Sequence, residues 1–188
     1  MLYILRHGQT DWNLKHRTQG RTDIPLNETG RQMAIKAGEE NKNIHFDLCY
    51  CSPLKRAKET AQLFLKGRDI EIRFDERLME MSFGDYEGIP NAFETPGCPL
   101  YTLFHDPAHY KAQGGAEGFE ELYRRTGEFM EEIIYPLLQK KQDILIVGHG
   151  AMNASIRCRL LNVPLEHFWD QLGKNCELFV WSQAIWES

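Results

Sequence analysis

Two short apolar runs, each followed by a histidine and a glycine, place the strongest constraint on how this chain can fold. Residues 2–8 read Leu-Tyr-Ile-Leu-Arg-His-Gly, and residues 143–150 read Asp-Ile-Leu-Ile-Val-Gly-His-Gly. A short continuous apolar run is typical of a strand that is buried on both faces of a parallel sheet. The sequence therefore predicts two buried strands whose carboxyl ends each carry a histidine.

The rest of the 188-residue chain alternates between predicted strands and predicted helices. Further strands are predicted at 46–52, at 71–74 and, at a sheet edge, at 176–181. Helices are predicted at 27–41, from Ser52-Pro53 onward, at 117–140, at 151–161 and after Pro164. Pro136 is expected to kink the helix at 117–140 or to mark its last turn. This alternation predicts an α/β fold of three α/β/α layers around a mainly parallel central sheet. We expect one domain over residues 1–188, with an irregular, lid-like insertion at about 81–116.

Composition excludes several other classes of protein. The formal net charge of −5 argues against a nucleic-acid partner. No apolar run reaches the length of a membrane span, so we expect no membrane partner and a cytoplasmic location. The five cysteines are irregularly spaced, which predicts reduced thiols. His105 and His109 have the spacing of a zinc pair, but Pro107 between them favours a loop, and no metal site is predicted.

Basic and imidazole side chains follow three of the predicted strands. Arg6 and His7 follow the first, Arg56 lies in the first turn of the helix after the second, and His149 follows the strand at 143–147. Ligands of such sheets bind at the carboxyl ends of the strands. A neutral imidazole can act as a nucleophile, and an arginine fork suits a phosphate. The sequence thus predicts a site for a dianionic phosphoryl group at this edge.

Four sequence blocks resemble those of the histidine phosphatase superfamily, in its phosphoglycerate-mutase-like branch. Residues 6–13 read Arg-His-Gly-Gln-Thr-Asp-Trp-Asn, and 52–57 read Ser-Pro-Leu-Lys-Arg-Ala. Residues 78–84 read Leu-Met-Glu-Met-Ser-Phe-Gly, and 148–150 read Gly-His-Gly. The blocks come in the order of the family, so the resemblance implies a phosphoglycerate-mutase-like fold.

The resemblance also implies a role for each matching residue. His7 would become a phosphohistidine, and Glu80 would protonate the leaving alkoxide and then activate water. Arg6, Arg56 and His149 would bind the phosphoryl oxygens. The transferred phosphate or the substrate would be bound by the remaining candidates, Asn13, Gln19, Gly20 and Gly150. No metal and no cofactor are implied, as in a histidine acid-type phosphatase.

Two segments depart from the family pattern or carry no predicted role. Residues 113–118 resemble the Gly-Gly-Glu-Ser stretch of the family with an inserted alanine and a glycine for serine, so Glu117 is a weak candidate for a substrate contact. The pair Arg124-Arg125 is predicted to lie on a solvated helix face.

The function that the residues favour is hydrolysis of a small phosphorylated metabolite. The longer glycolytic mutases carry a basic block after the acid, whereas residues 88–116 contain only one Lys or Arg, Lys111. A phosphoglycerate-type mutase and a non-catalytic phospho-ligand-binding module are the alternatives, and the sequence leaves a homodimer open.

Overall fold

The computed structural model describes residues 1–182, which form a five-stranded sheet covered by helices. The strands are β1 (Leu2–Arg6), β2 (Leu48–Cys51), β3 (Ile72–Phe74), β4 (Ile144–Gly148) and β5 (Leu178–Trp181). Their order across the sheet is β3-β2-β4-β1-β5, with β5 antiparallel to β1 and the other neighbours parallel. The prediction of a mainly parallel sheet with its last strand at an edge is confirmed.

Alternate residues of the central strands point to two different cores. Ile4 and Ile146 lie in a core with the helices of one face, and Leu5 and Val147 lie in a core with the helices of the other face. All four side chains are almost fully buried. Burial on both faces explains why these strands appear in the sequence as continuous apolar runs, and it confirms the three-layer prediction.

Seven α-helices lie within the described residues. They are α1 (Asp11–Leu14), α2 (Glu28–Glu40), α3 (Lys55–Phe64), α4 (Pro99–His105), α5 (Phe119–Phe129), α6 (Tyr135–Gln139) and α7 (Gly150–Leu161). The predicted cap of α2 is confirmed, because the side chain of Asn27 accepts a 2.8 Å bond from Gly30 N. None of the helices within residues 1–182 is long and apolar enough to cross a membrane.

Three local predictions need correction. The helix predicted to start at Ser52-Pro53 begins at Lys55: the Ser52 hydroxyl contacts His149 and accepts from Leu54 N at 3.3 Å, and it caps no N–H group inside the helix. The stretch between β1 and α2, where the sequence pattern predicts no helix, contains the one-turn helix α1, capped by the side chain of Thr10. The long helix predicted over 117–140 begins at Phe119 and passes through a π-helical turn at Met130–Ile134.

Proline accounts for the π-helical turn. Pro136 lies in the first turn of α6 and has no N–H to give to a carbonyl of the preceding turn. One residue before Pro136, Tyr135 N donates to Met130 O, five residues back, and this bond forms the π-helical turn. The helix therefore continues for one more turn beyond the predicted kink.

The segment at 81–116 packs beside the sheet as a series of short helical turns. It contains α4 and 3₁₀ turns at Gly84–Tyr86, Ala92–Glu94 and Pro107–His109. Its buried side chains, among them Leu100 and Leu103, form a third core with α7 and with the 3₁₀ segment Leu165–Gln171. The segment is irregular as predicted, with more helical turns than the sequence pattern indicated.

Candidate active site

A cavity of about 150 Å³ opens at the carboxyl ends of β1 and β4. Eight of the nine predicted site residues line it, and the ninth, His149, packs directly against one of them. The eight are Arg6, His7, Asn13, Gln19, Gly20, Arg56, Glu80 and Gly150. The structure therefore brings residues from five separate parts of the chain to one place.

His7 is held by the backbone around it in one tautomer. Its Nδ1 lies 2.7 Å from the carbonyl oxygen of Gly8, which only a protonated Nδ1 can donate to. Its Nε2 is then left with a lone pair. Burial, followed by the charges of Arg56 and Arg6, lowers the pKa of His7 well below its ordinary value. The imidazole is accordingly neutral at pH 7, as a nitrogen nucleophile requires.

His149 lies opposite His7 with one nitrogen still available. The ring centroids are 5.2 Å apart. His149 Nε2 lies 2.7 Å from the Ser52 hydroxyl, while its buried Nδ1 has no partner among the described residues. Burial and the nearby Arg56 lower the pKa of His149 well below its ordinary value. A buried nitrogen without a partner is costly unless a ligand pairs with it.

Two arginines bring positive charge to the same cavity. Arg56 is completely buried and donates to the carbonyls of Thr22, at 2.9 Å, and Gly20, at 2.5 Å. Arg6 donates to Gly173 O at 2.7 Å. The Nε of each is buried without a partner in the described part of the chain. Burial lowers the pKa of Arg56 only to about 10, so its guanidinium remains charged at neutral pH.

Glu80 is fixed by three backbone N–H groups. Its Oε1 accepts from Met81 N at 2.9 Å and from Met152 N at 3.0 Å. Its Oε2 accepts from Ala151 N alone, at 3.2 Å. Two of these donors belong to the first turn of α7, whose positive end favours a carboxylate. Oε2 therefore keeps the lone pair that can carry a proton toward the cavity.

A buried ion pair holds the segment that carries Glu80, and here the sequence prediction was wrong. Arg125 is not solvated, because its guanidinium donates to both oxygens of Glu117, at 2.7 and 3.0 Å, and to Met79 O at 2.8 Å. Glu117 in turn accepts from Ser82 N at 3.2 Å and does not line the cavity. Together the pair fixes the backbone on both sides of Glu80.

The position of Arg125 in the sequence indicates that it is buried, although the predicted solvated face did not take this into account. Leu122, Thr126 and Phe129 mark the buried stripe of α5, and Arg125 falls on the same stripe. An arginine on a buried stripe requires a buried acceptor, which Glu117 supplies.

Gln19 and Gly20 lie on a loop whose backbone is held in place by Glu87. Gly20 has a φ of +55°, and an added Cβ there would lie 2.0 Å from Glu87 Oε1. Glu87 accepts from the N–H groups of Arg21, Thr22 and Phe83, so it ties the loop together. Glu87 does not line the cavity.

Within residues 1–182, the amide nitrogens of Asn13 and Gln19 have no hydrogen-bond partner and are available to a ligand. The Oδ1 of Asn13 accepts from Thr10 N at 3.0 Å, and the hydroxyl of Thr10 donates toward Gln19 Oε1 at 2.8 Å. With the oxygens occupied, the NH₂ groups are the donors that remain on this side of the cavity.

The far half of the cavity was not anticipated from the sequence. It is lined by the rings of Phe83, Phe93, Phe104 and Trp169. Arg17 and Thr18 also line the cavity, and Leu172 lies beside Arg6 and Glu80. Most of these residues come from the irregular segment at 81–116 and from the turn that precedes β5, where no periodic pattern marks them.

Within residues 1–182 no group of three or more His, Cys, Asp or Glu side chains is arranged to hold a metal ion. His105 Nε2 lies 3.1 Å from Phe93 O, and His109 Nδ1 lies 2.8 Å from an Asp106 carboxylate oxygen.

Comparison with known proteins places this geometry in a family. The sequence model of the histidine phosphatase superfamily (branch 1) matches residues 2–183. A phosphatase of Bacillus subtilis, PhoE, is 37% identical over 150 residues, which cover 79% of this chain and 70% of PhoE.

Two further proteins are similar to this chain over most of its length. A 2,3-bisphosphoglycerate-dependent phosphoglycerate mutase of Cytophaga hutchinsonii is 34% identical over 80% of this chain and 72% of its own. The structure of YhfR from Bacillus stearothermophilus is 33% identical and superposes with a TM-score of 0.79 over 89% of this chain and 83% of that chain.

Proposed function

Because the chain belongs to the histidine phosphatase superfamily (branch 1), we propose that it hydrolyses a small organic phosphate through a phosphohistidine on His7. The observation that carries the proposal is the tautomer of His7. Its Nδ1 is committed to Gly8 O, and its free Nε2 belongs to a ring that lines a cavity with two buried guanidinium groups. A lone pair beside paired positive charges suits attack on a phosphorus atom that carries two negative charges.

The first step transfers the phosphoryl group to the enzyme. The Nε2 lone pair of His7 attacks phosphorus, a P–N bond forms, and the P–O bond to the alcohol breaks. Arg6, Arg56 and the free Nδ1 of His149 hold the phosphoryl oxygens as charge develops on them. Glu80 gives the proton on its Oε2 to the departing oxygen, so the alcohol leaves neutral.

The second step returns the enzyme to its starting state. Glu80, now ionised, takes a proton from a water molecule, whose oxygen attacks phosphorus as the P–N bond breaks. Inorganic phosphate leaves, His7 regains its lone pair, and Glu80 is protonated again. The proposal assigns no step to a metal or a cofactor, because Arg6 and Arg56 supply the positive charge on which phosphoryl transfer depends.

The same groups could serve a mutase, and similarity to a phosphoglycerate mutase keeps that alternative open. A mutase must also hold a carboxylate or a second phosphate. Beyond Arg6 and Arg56, the cation that lines the described cavity is Arg17, and Lys111 of the insertion does not reach it. A single additional cation in the described cavity favours hydrolysis over mutase activity. A non-catalytic binding module is disfavoured because His7, Arg56, Glu80 and His149 are all present.

A single set of assays tests the proposal. The protein should hydrolyse p-nitrophenyl phosphate equally well with and without EDTA, and rapid quenching should trap an acid-labile, base-stable phosphoenzyme. His7→Ala should lose both the turnover and the phosphoenzyme. His45→Ala is the matched control, because His45 is exposed, pairs with Asp47 just before β2 begins, and does not line the cavity. Turnover of more than a few per cent in His7→Ala would overturn the assignment, and interconversion of phosphoglycerates faster than their hydrolysis would favour the mutase.

A further inference from the structure

The cavity has two halves that differ in chemistry. The half next to His7 carries the two guanidinium groups, and the other half is a surface of rings that we call the aromatic wall: Phe93, Phe104 and Trp169. The ring centroids of the wall are 5.2 to 6.4 Å apart. A phosphate group held by the arginines would therefore direct the rest of the substrate toward aromatic rings.

The aromatic wall is fixed before any ligand arrives. Trp169 Nε1 donates to Leu103 O at 2.7 Å, and its indole packs edge-on against the buried ring of Phe168. Phe93 packs edge-on against Phe83 at 5.4 Å. Rings that are already ordered lose little conformational freedom on binding, so their contact area contributes to affinity with little entropic cost.

Polar partners for a hydrophilic alcohol are few on this side. Arg17 is exposed to solvent, and the hydroxyl of Thr18 already donates to Ile89 O. Arg17 is the cation on this side that could pair with a carboxylate; the ring faces cannot pair with the carboxylate or hydroxyl groups of a glycerate or a sugar, which would lose hydration against them. An apolar ring would instead stack on the wall and displace water from it.

Resting on the proposed phosphatase function, we infer that the leaving group is an alkyl alcohol that carries an aromatic ring or another bulky apolar group. The phosphate binds at His7, the alcohol oxygen lies near Glu80, and the apolar group stacks on the aromatic wall. The alcohol is alkyl because a basic alkoxide is the kind of leaving group for which a general acid such as Glu80 is useful.

The test compares esters whose alcohols are similar in acidity, so that differences report on the wall. 2-Phenylethyl phosphate should exceed ethyl phosphate, glycerol 3-phosphate and 3-phosphoglycerate by about tenfold or more in kcat/KM, mainly through KM. Binding of 2-phenylethylphosphonate and ethylphosphonate, measured by calorimetry, should differ by a similar factor. Equal values, or a preference for glycerol 3-phosphate or 3-phosphoglycerate, would overturn the inference.

Variants show whether the wall causes the preference. Phe93→Leu combined with Phe104→Leu keeps an apolar surface without the rings and should reduce the phenylethyl-to-ethyl ratio to about threefold or less. Phe74→Leu is the control, because Phe74 is exposed at the sheet edge and should leave the ratio unchanged. An unchanged ratio in the double variant would also overturn the inference. If no ester is hydrolysed the proposed function fails, and the two phosphonates still decide whether the wall selects an apolar group.

Discussion

Glu117 and Arg125 form a buried, bidentate ion pair directly behind the segment that carries Glu80. Their side chains are 4% and 7% exposed. Arg125 also donates to the carbonyl of Met79, and Glu117 accepts from the N–H of Ser82. The pair therefore links α5 to the residues on either side of Glu80, although neither of its members lines the cavity.

Arg125→Met should remove the bidentate partner of the buried Glu117, whose other ion pair within residues 1–182 is the longer, 3.5 Å contact with the exposed Arg21. Breaking a buried pair in this way should lower the free energy of unfolding by about 3–5 kcal/mol, measured by urea denaturation. Arg124→Met is the matched control, because the neighbouring Arg124 pairs with Glu121 and Glu128 at the solvated surface. That variant should lose no more than about 1 kcal/mol. Equal losses in the two variants would contradict the structural role of the pair.

Stability should fall as the pH is lowered below about 6.5, because of His7 and His149. Burial lowers the pKa of both well below their ordinary value of 6.5, which the unfolded chain retains. At a pH between the lowered pKa of the folded state and 6.5, the unfolded chain binds more protons than the folded chain, so acid favours unfolding. Each histidine should contribute a slope of up to about 1.4 kcal/mol per pH unit.

Urea denaturation at pH 7.5, 6.5 and 5.5 measures that slope. His7→Asn should reduce it between pH 6.5 and 5.5, because the variant has no imidazole at this buried position. Subtracting the slope of the variant from that of the wild type cancels the contributions of other titrating groups. One such group is His109, whose pKa is raised by Asp106. An identical slope in His7→Asn would mean that His7 binds its proton equally well in the folded and the unfolded protein.

Gly20→Ala should damage both the fold and the site. An added Cβ would lie 2.0 Å from Glu87 Oε1 on a backbone with φ of +55°, so Glu87 must move and release the loop. Gly67→Ala is the control, because Gly67 also has a positive φ but nothing lies within 4 Å of an added Cβ. The control should lose about 1–2 kcal/mol of unfolding free energy. Gly20→Ala should lose more and should also lose kcat/KM; a loss no larger than that of the control would show that Glu87 yields freely.

These contacts indicate which parts of the molecule can be predicted from sequence. β1 and β4 are recognisable because burial on both faces leaves a continuous apolar run, and Asn27 marks the start of α2 because a side-chain cap is a local interaction. His7, Arg56 and His149 could be brought together because parallel strands end at one edge of a sheet.

The parts that were missed depend on partners that are distant in the chain. Arg125 appeared solvated because helical spacing alone does not reveal the acceptors supplied by Glu117 and by the backbone of Met79. Ser52 appeared to be a helix cap because its tertiary partner, His149, is 97 residues away. Phe93, Phe104 and Trp169 converge through short helical turns that have no repeating pattern.

Glu80→Gln tests the proposed acid through its dependence on the leaving group. An alkoxide needs a proton to depart, whereas p-nitrophenolate is weakly basic and leaves with little help. The variant should therefore slow phosphorylation by an alkyl phosphate by about 10²–10⁴-fold and slow phosphorylation by p-nitrophenyl phosphate much less. Single-turnover measurements isolate this step from the breakdown of the phosphohistidine, which is common to both substrates and, in the proposed mechanism, also uses Glu80.

The control for that experiment is Glu87→Gln, since Glu87 is an acidic residue that follows Glu80 in the same segment but holds the loop at Gly20 and does not line the cavity. Its effect should be the same for both leaving groups, because a displaced loop weakens phosphate binding whatever the alcohol is. Glu80→Gln must also retain its near-ultraviolet circular dichroism, because an amide NH₂ cannot accept from the N–H of Ala151 as Oε2 does. If a folded Glu80→Gln slowed both substrates equally in the phosphorylation step, Glu80 would act on phosphate binding alone, and the proton would have to come from another group.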